Sequence, residues 1–338
     1  MKRKIPHTIR PPPQYSTHIA FSLCYIANKS TICTCHKKSV TLQAKVSSNK
    51  KMTMVYDNVA RSRIYSSLFS ARVVQEVLNG QYTSINRVCN FFQDDKRYNN
   101  YLDYLTYLYH FMVRYYRCEY VFKNEVINKI LLRHFTNKNT ISFSEFRVDK
   151  SIADLVMFNG ISRAYEIKTD YDSDKRLTHQ LVDYSKLFDK CYLVTSPLGA
   201  SKYEKKLPDN IGIIVFEYKK NSLVHHIIRE AKLNDVIDIS TLMRSIRTTE
   251  YKSIVKDIYG TLPNVSDFDM FEECEKLLID SDNKKIRTSF LRVMKQRKTN
   301  TQSLEQFDQC FRQLGVATNM TLSDYHSFVN NLSIPIKL

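Results

Sequence analysis

An α/β protein is expected from three features of the sequence. Residues 152–158 and 163–169 are two strand-like runs joined by Asn159-Gly160, a pair that tolerates the positive φ of a tight turn. Residues 191–195 and 211–216 are nearly continuous apolar runs, as in strands covered on both faces. Between these pairs Leu177, Leu181 and Tyr184 recur at helical spacing. A strand–helix–strand crossover sets the later strands parallel. The expected order is helix, three strands, helix, strand, short helix, strand.

Composition sets the frame. At 338 residues the chain has room for about two domains. Its 43% hydrophobic content supports a sizeable core. No apolar run approaches the ~20 residues of a membrane helix, and the scattered cysteines set the expectation of a reducing cytoplasm. The formal net charge of +17 favours a polyanionic partner. Residues 1–51 hold ten Lys and Arg and no acid, leaving 41 basic residues to face all 34 acidic ones. With Pro11-Pro12-Pro13 and no sustained periodicity, this stretch reads as a basic disordered extension, or as sequence upstream of a start at Met52 or Met54. Cys33-Thr34-Cys35-His36 lacks the second ligand pair of a zinc site. The eight cysteines follow no framework spacing and read as free thiols.

Residues 52–116 form an N-terminal helical region. Ile64, Leu68, Ala71, Val74 and Leu78 follow one helical stripe, with Gly80 as its stop. Thr83 and Ser84 are placed to cap a short helix through Phe92. Leu102, Leu105, Leu108, Met112 and Tyr116 mark a strong helix over 99–116. Eight tyrosines from Tyr98 to Tyr120 suit a packed seam, with base stacking as the competing use.

Residues 117–221 form the core. A helix over 118–134 precedes a first strand at 141–148, with Glu145 pointing outward. Asp170, Asp172 and Asp174 read as a solvated loop that caps the helix over 174–189. Residues 217–228 read as an extended edge segment. Residues 222–338 form a C-terminal helical region, with patterns at 239–247, 250–259, 268–279, 285–297, 304–314 and 323–332. Lys284, Lys285, Arg287, Arg292 and Lys295 lie in an acid-free stretch and are candidates for gripping nucleic-acid phosphates. A solvated helix face competes equally.

The chemistry concentrates on the hairpin. Asp154 interrupts the first apolar strand, and Glu166-Ile167-Lys168 ends the second. Alternation puts Glu166 and Lys168 on one face. A charge within an apolar strand is costly unless paired or bound to a metal. Alone, the triplet fits a buried ion pair. Two carboxylates on one face instead make a hard oxygen site suited to Mg²⁺, and a neighbouring lysine can position water and offset phosphate charge. One condition applies. A two-residue turn places Asp154 opposite Tyr165, away from Glu166; a three-residue turn with left-handed glycine brings the acids together.

Asp154, Glu166-Ile167-Lys168 and the following Gln180-Leu181-Val182-Asp183-Tyr184 resemble the PD-(D/E)xK nuclease superfamily. The Gln-x-x-x-Tyr pair is similar to the branch with RecB-type nuclease domains, and the wider wording resembles a small uncharacterised bacterial family. The resemblance covers roughly residues 117–217, with Ala153 where the superfamily name has proline. It implies a restriction-endonuclease-like αβββαβ core, flanked here by helical regions. It implies Asp154, Glu166 and the Ile167 carbonyl as ligands for Mg²⁺ or Mn²⁺. The preceding helix is then a source of a further carboxylate, Glu119 rather than Glu125. Lys168 positions water, Gln180 assists, and Tyr184 touches a phosphate or supports Gln180.

The expected function is metal-dependent hydrolysis of phosphodiesters, in DNA by the superfamily's habits. A non-catalytic nucleic-acid-binding module on the same fold is the alternative. A third reading is an adaptor in a mobile-element or phage-defence locus, dimerising or docking a protein through its helical regions. No P-loop, Rossmann fingerprint, zincin or nucleophile-elbow motif is present.

Overall fold

The computed structural model describes residues 44–45, 53–54, 57–94, 97–134 and 140–338. Cys33, Cys35, His36 and nearly all of the basic extension lie outside them. The chain divides into two compact units, Met1–Arg61 and Ser62–Leu338. The first contains an antiparallel pair, β1 (Ala44–Lys45) and β2 (Thr53–Met54).

The second unit is a mixed α/β fold on one six-stranded sheet. Its strands are β3 (Ile141–Val148), β4 (Ser151–Asn159), β5 (Ile161–Lys168), β6 (Lys190–Thr195), β7 (Gly212–Lys219) and β8 (Ser222–Arg229), side by side in that order. The first three are antiparallel, β5, β6 and β7 are parallel, and β8 closes the far edge antiparallel to β7. Alternation on β4 divides two cores. Leu155 and Met157 face one, Val156 and Phe158 the other.

Helices α1 (Asn58–Ser66), α2 (Ala71–Leu78), α3 (Thr83–Phe92), α4 (Tyr101–Tyr115) and α5 (Glu119–Val126) come first. The stripe from Ile64 to Leu78 is thus two helices rather than one. Ser66, Ser67 and Ser70 turn their hydroxyls onto carbonyls three residues back and break the run. Ser84 caps nothing with its side chain; its N–H and hydroxyl both donate to Glu76. Tyr101, Tyr104 and Tyr109 are buried, and Tyr65 and Tyr104 donate to Asp94. These buried rings fill a seam. After α5 the helix widens into a π turn at Ile127–Leu131 and ends in α6 (Leu132–His134).

Between β5 and β6 lies α7 (Leu177–Ser185), and between β6 and β7 lies α8 (Pro197–Tyr203). The acidic loop does not cap α7, whose N-cap is Arg176. Asp172 accepts from Thr169 N, Asp174 pairs with Lys202, and Asp170 accepts from the Ser196 hydroxyl.

The remaining helices are α9 (Ile239–Ser245), α10 (Thr248–Tyr259), α11 (Met270–Ile279), α12 (Asn283–Lys295), α13 (Arg312–Thr318) and α14 (Leu322–Leu332). The helix expected over 304–314 is instead a 3₁₀ turn at Thr301–Gln306 followed by α13. The helical regions are not separate bodies. Buried residues of α9–α12 join Val156 and Phe158 on one face of the sheet, where Phe290 meets Phe158 edge-on. Those of α13 and α14 join α2–α5 on the other.

Candidate active site

The Asn159-Gly160 turn meets the register condition. Gly160 has φ 70°, and β4 and β5 pair from Leu155↔Tyr165 to Asn159↔Ile161. One step further along this register, Asp154 stands opposite Glu166. The ladder between β3 and β4 runs to Ser144↔Leu155, resumes at Phe146↔Ala153, and skips Glu145 and Asp154. Glu145 has φ 57°, a conformation that disfavours a residue with a Cβ. The face assignment shifts there: Ile141 and Phe146, of opposite parity, both enter the second core. The sheet is therefore locally open at Asp154, which turns inward and accepts from Ile167 N at 2.7 Å through Oδ2.

Glu166 is only 1% exposed. Its Oε1 accepts from Lys168 Nζ at 2.7 Å, and its Oε2 lies 2.8 Å from the Tyr184 hydroxyl. The same hydroxyl donates to the Ile152 carbonyl at 2.5 Å. One proton thus serves two acceptors, and a neutral Glu166 would resolve the competition by donating to the tyrosine oxygen. Burial, and then the charge of Asp154, push the Glu166 carboxyl up to about 7, against Lys168 and Tyr184. Burial also raises Asp154, against Lys123 and the Ile167 N–H. Burial alone would depress Lys168, but the Glu166 carboxylate outweighs it and holds the ammonium above its ordinary range.

Tyr184 is fully buried, so it holds Glu166 in place rather than reaching a phosphate. Gln180 Nε2 points to the Tyr184 hydroxyl at 3.4 Å, while Gln180 Oε1 is buried with no hydrogen-bond partner among the described residues. An unsatisfied buried acceptor calls for a ligand or water.

Lys123, absent from the sequence reading, completes the site. This lysine on α5 is 5% exposed. Its ammonium lies 2.5 Å from Glu119 Oε1 and 3.2 Å from Asp154 Oδ1. Glu119, expected as a further metal ligand, is thus bound to Lys123, and among the described residues no three His, Cys, Asp or Glu side chains form a metal cluster. Glu125 lies elsewhere, accepting from Tyr109 and Asn128. The i, i+4 spacing of Glu119 and Lys123 was the available signal; the contact with Asp154 is tertiary.

The C-terminal basic stretch divides. Arg287 pairs with Asp189, and Arg292 with Asp257. Arg297 grips Glu250 with two bonds of 2.7 Å. Among the described residues, Lys284, Lys285 and Lys295 of the five candidates remain exposed without such a partner. The acids that neutralise the arginines come from distant parts of the chain.

A mixed α/β sheet covered by helices on both faces, with paired acids and lysines at the end of its central hairpin, defines the class of protein. The chain belongs to the bacteriophage P4 protein cII family, whose profile matches residues 112–314, more than half of the chain. Protein cII of Enterobacteria phage P4 is 29% identical over 130 residues, which span 37% of this chain and 46% of that relative. The match therefore covers about half the relative's length. A solved protein of unknown function from Silicibacter pomeroyi is similar over 37% of this chain and 80% of its own, at 13% identity and a TM-score of 0.27. No helix among the described residues is long and apolar enough to cross a membrane.

Proposed function

We propose that this chain is a metal-dependent phosphodiesterase acting on nucleic acid, DNA in the first instance, built on a restriction-endonuclease-like core. The observation that carries the reading is the meeting of Asp154, Glu166 and Lys168 at one end of the β4–β5 pair, beside the unpartnered Gln180 Oε1. The donor set fits Mg²⁺ or Mn²⁺: two carboxylates and the Ile167 carbonyl are hard oxygens. Asp154 and Glu166 would hold the ion. Such an ion supplies charge neutralisation on a phosphate and activation of a water. Lys168 holds positive charge beside Glu166, where phosphate charge grows. Tyr184 fixes the Glu166 rotamer, and Gln180 Oε1 offers an acceptor to a water or a hydroxyl.

One observation favours a second reading, a nucleic-acid-binding module that does not cut. Lys123 already supplies Asp154 with a cation. The discriminating experiment incubates the purified full chain with plasmid DNA, single-stranded DNA and RNA in Mg²⁺ or Mn²⁺, against EDTA. Metal-dependent cutting that is lost in Lys168→Ala supports the enzyme. Salt-sensitive binding without cutting in any metal supports the module.

A further inference from the structure

Beside the carboxylate site lies a second cluster that the reaction does not use. The rings of Tyr116 and Tyr171 meet at 4.7 Å between centroids, tilted by 44°. Arg63 Cζ sits 5.5 Å from the first ring and 5.3 Å from the second, so one guanidinium rests against both. Arg114 lies 5.2 Å from the ring of Tyr115, and Arg117 donates to the Arg114 carbonyl. Unlike Arg287, Arg292 and Arg297, none of Arg63, Arg114 and Arg117 pairs with an acidic side chain among the described residues. Tyr171 is 43% exposed, which leaves part of a large aromatic surface open to solvent.

The cluster is tied to the site by the chain itself. Tyr171 follows Lys168 by three residues, and Tyr116 precedes Glu119 by three. Three residues of extended chain span at most ~11 Å. The acids beside these two tyrosines in sequence are engaged: Asp172 with Thr169 N, Asp170 with Ser196, Glu119 with Lys123.

We infer that Arg63, Tyr116 and Tyr171 bind a single-stranded nucleic acid and lead it to the carboxylate site. A half-exposed ring accepts the face of an unstacked base, which a duplex does not present. An arginine already resting against that ring, with no carboxylate partner among the described residues, is placed to take the adjoining phosphate. The inference rests on the nucleic-acid reading above and adds which form of substrate is held, and by which residues.

The test is fluorescence anisotropy with a labelled oligo(dT) of ~16 nucleotides, about one site's length. It uses the full chain carrying Glu166→Gln in EDTA, so that nothing is cut. Tyr171→Ala is expected to weaken binding about tenfold, the scale of one stacked base, and Tyr171→Phe to keep it. Arg63→Gln is expected to weaken binding and to flatten the slope of log K against log salt by ~0.7, one phosphate contact on a single strand. Tyr171→Ala should leave that slope unchanged. A duplex of the same length should show no dependence on Tyr171. Binding by both variants like the parent, or equal loss on duplex and single strand, overturns the inference while leaving cleavage by the wild type to stand. Single-strand binding that needs Tyr171, in a protein that cuts nothing in any metal, overturns the phosphodiesterase and keeps the Arg63–Tyr116–Tyr171 cluster. Absence of all nucleic-acid binding overturns both.

Discussion

Lys123 reaches across from α5 to Asp154 on β4, with 3.2 Å between Nζ and Oδ1. Both groups are largely shielded from water, so each is the other's principal counter-charge. Burial disfavours the ammonium, but Asp154 and Glu119 outweigh it and raise its pKa. Lys123→Met removes one partner and leaves a carboxylate without compensation. A loss of about 3 kcal/mol is expected, as for other broken buried pairs. Thermal melts of metal-free protein check this, and added Mg²⁺ should restore more stability to the variant than to the wild type.

Tyr184→Phe separates the scaffold from the chemistry. The change leaves Glu166 Oε2 and the Ile152 carbonyl short of a donor in a dry place. The expected cost is about 1–3 kcal/mol in urea unfolding. Any cleavage activity should fall with it, because Glu166 is no longer held.

Glu145 offers an inverted substitution order. In an ordinary strand valine is favoured over glycine. At φ 57° the preference reverses, because a β-branched residue is strained there. Glu145→Gly should be more stable than Glu145→Val by about 1 kcal/mol or more. Denaturant midpoints of the two variants decide it, and the usual order would remove the claim of local strain.

Glu250 and Arg297 clamp α10 to the end of α12 through two bonds of 2.7 Å. Burial opposes the charge on Glu250, but Arg297 outweighs it and holds the carboxyl below its ordinary value of 4.5. A depressed carboxyl gives stability that is full above the ordinary value and is lost as pH falls through the folded one. Wild-type stability should therefore drop more steeply below pH 4.5 than that of Glu250→Gln, measured by urea midpoints across the acid range.

Much of the sheet was legible because its signals are local. Apolar runs mark β4, β6 and β7, and Gly160 needs only its own turn to be read. The turn also fixed the condition under which Asp154 and Glu166 meet. What stayed hidden depends on partners far away in sequence. Arg287, Arg292 and Arg297 look unopposed along the chain because Asp189, Asp257 and Glu250 arrive only on folding. Lys123 finds Asp154 in the same way. Tyr184 showed only its helical spacing, because periodicity does not say that its hydroxyl is sealed against Glu166. The break between α1 and α2 turned on serine side chains that outcompete a hydrophobic stripe.

The layer formed by α2–α5 with α13 and α14 has a practical corollary. Val77 on α2, Leu105 on α4 and Phe328 on α14 share one core, yet all three fall outside residues 112–314. A fragment trimmed to the shared segment would lay bare an oily flank and should aggregate. Evolutionary kinship and the smallest piece able to fold by itself have different borders in this molecule.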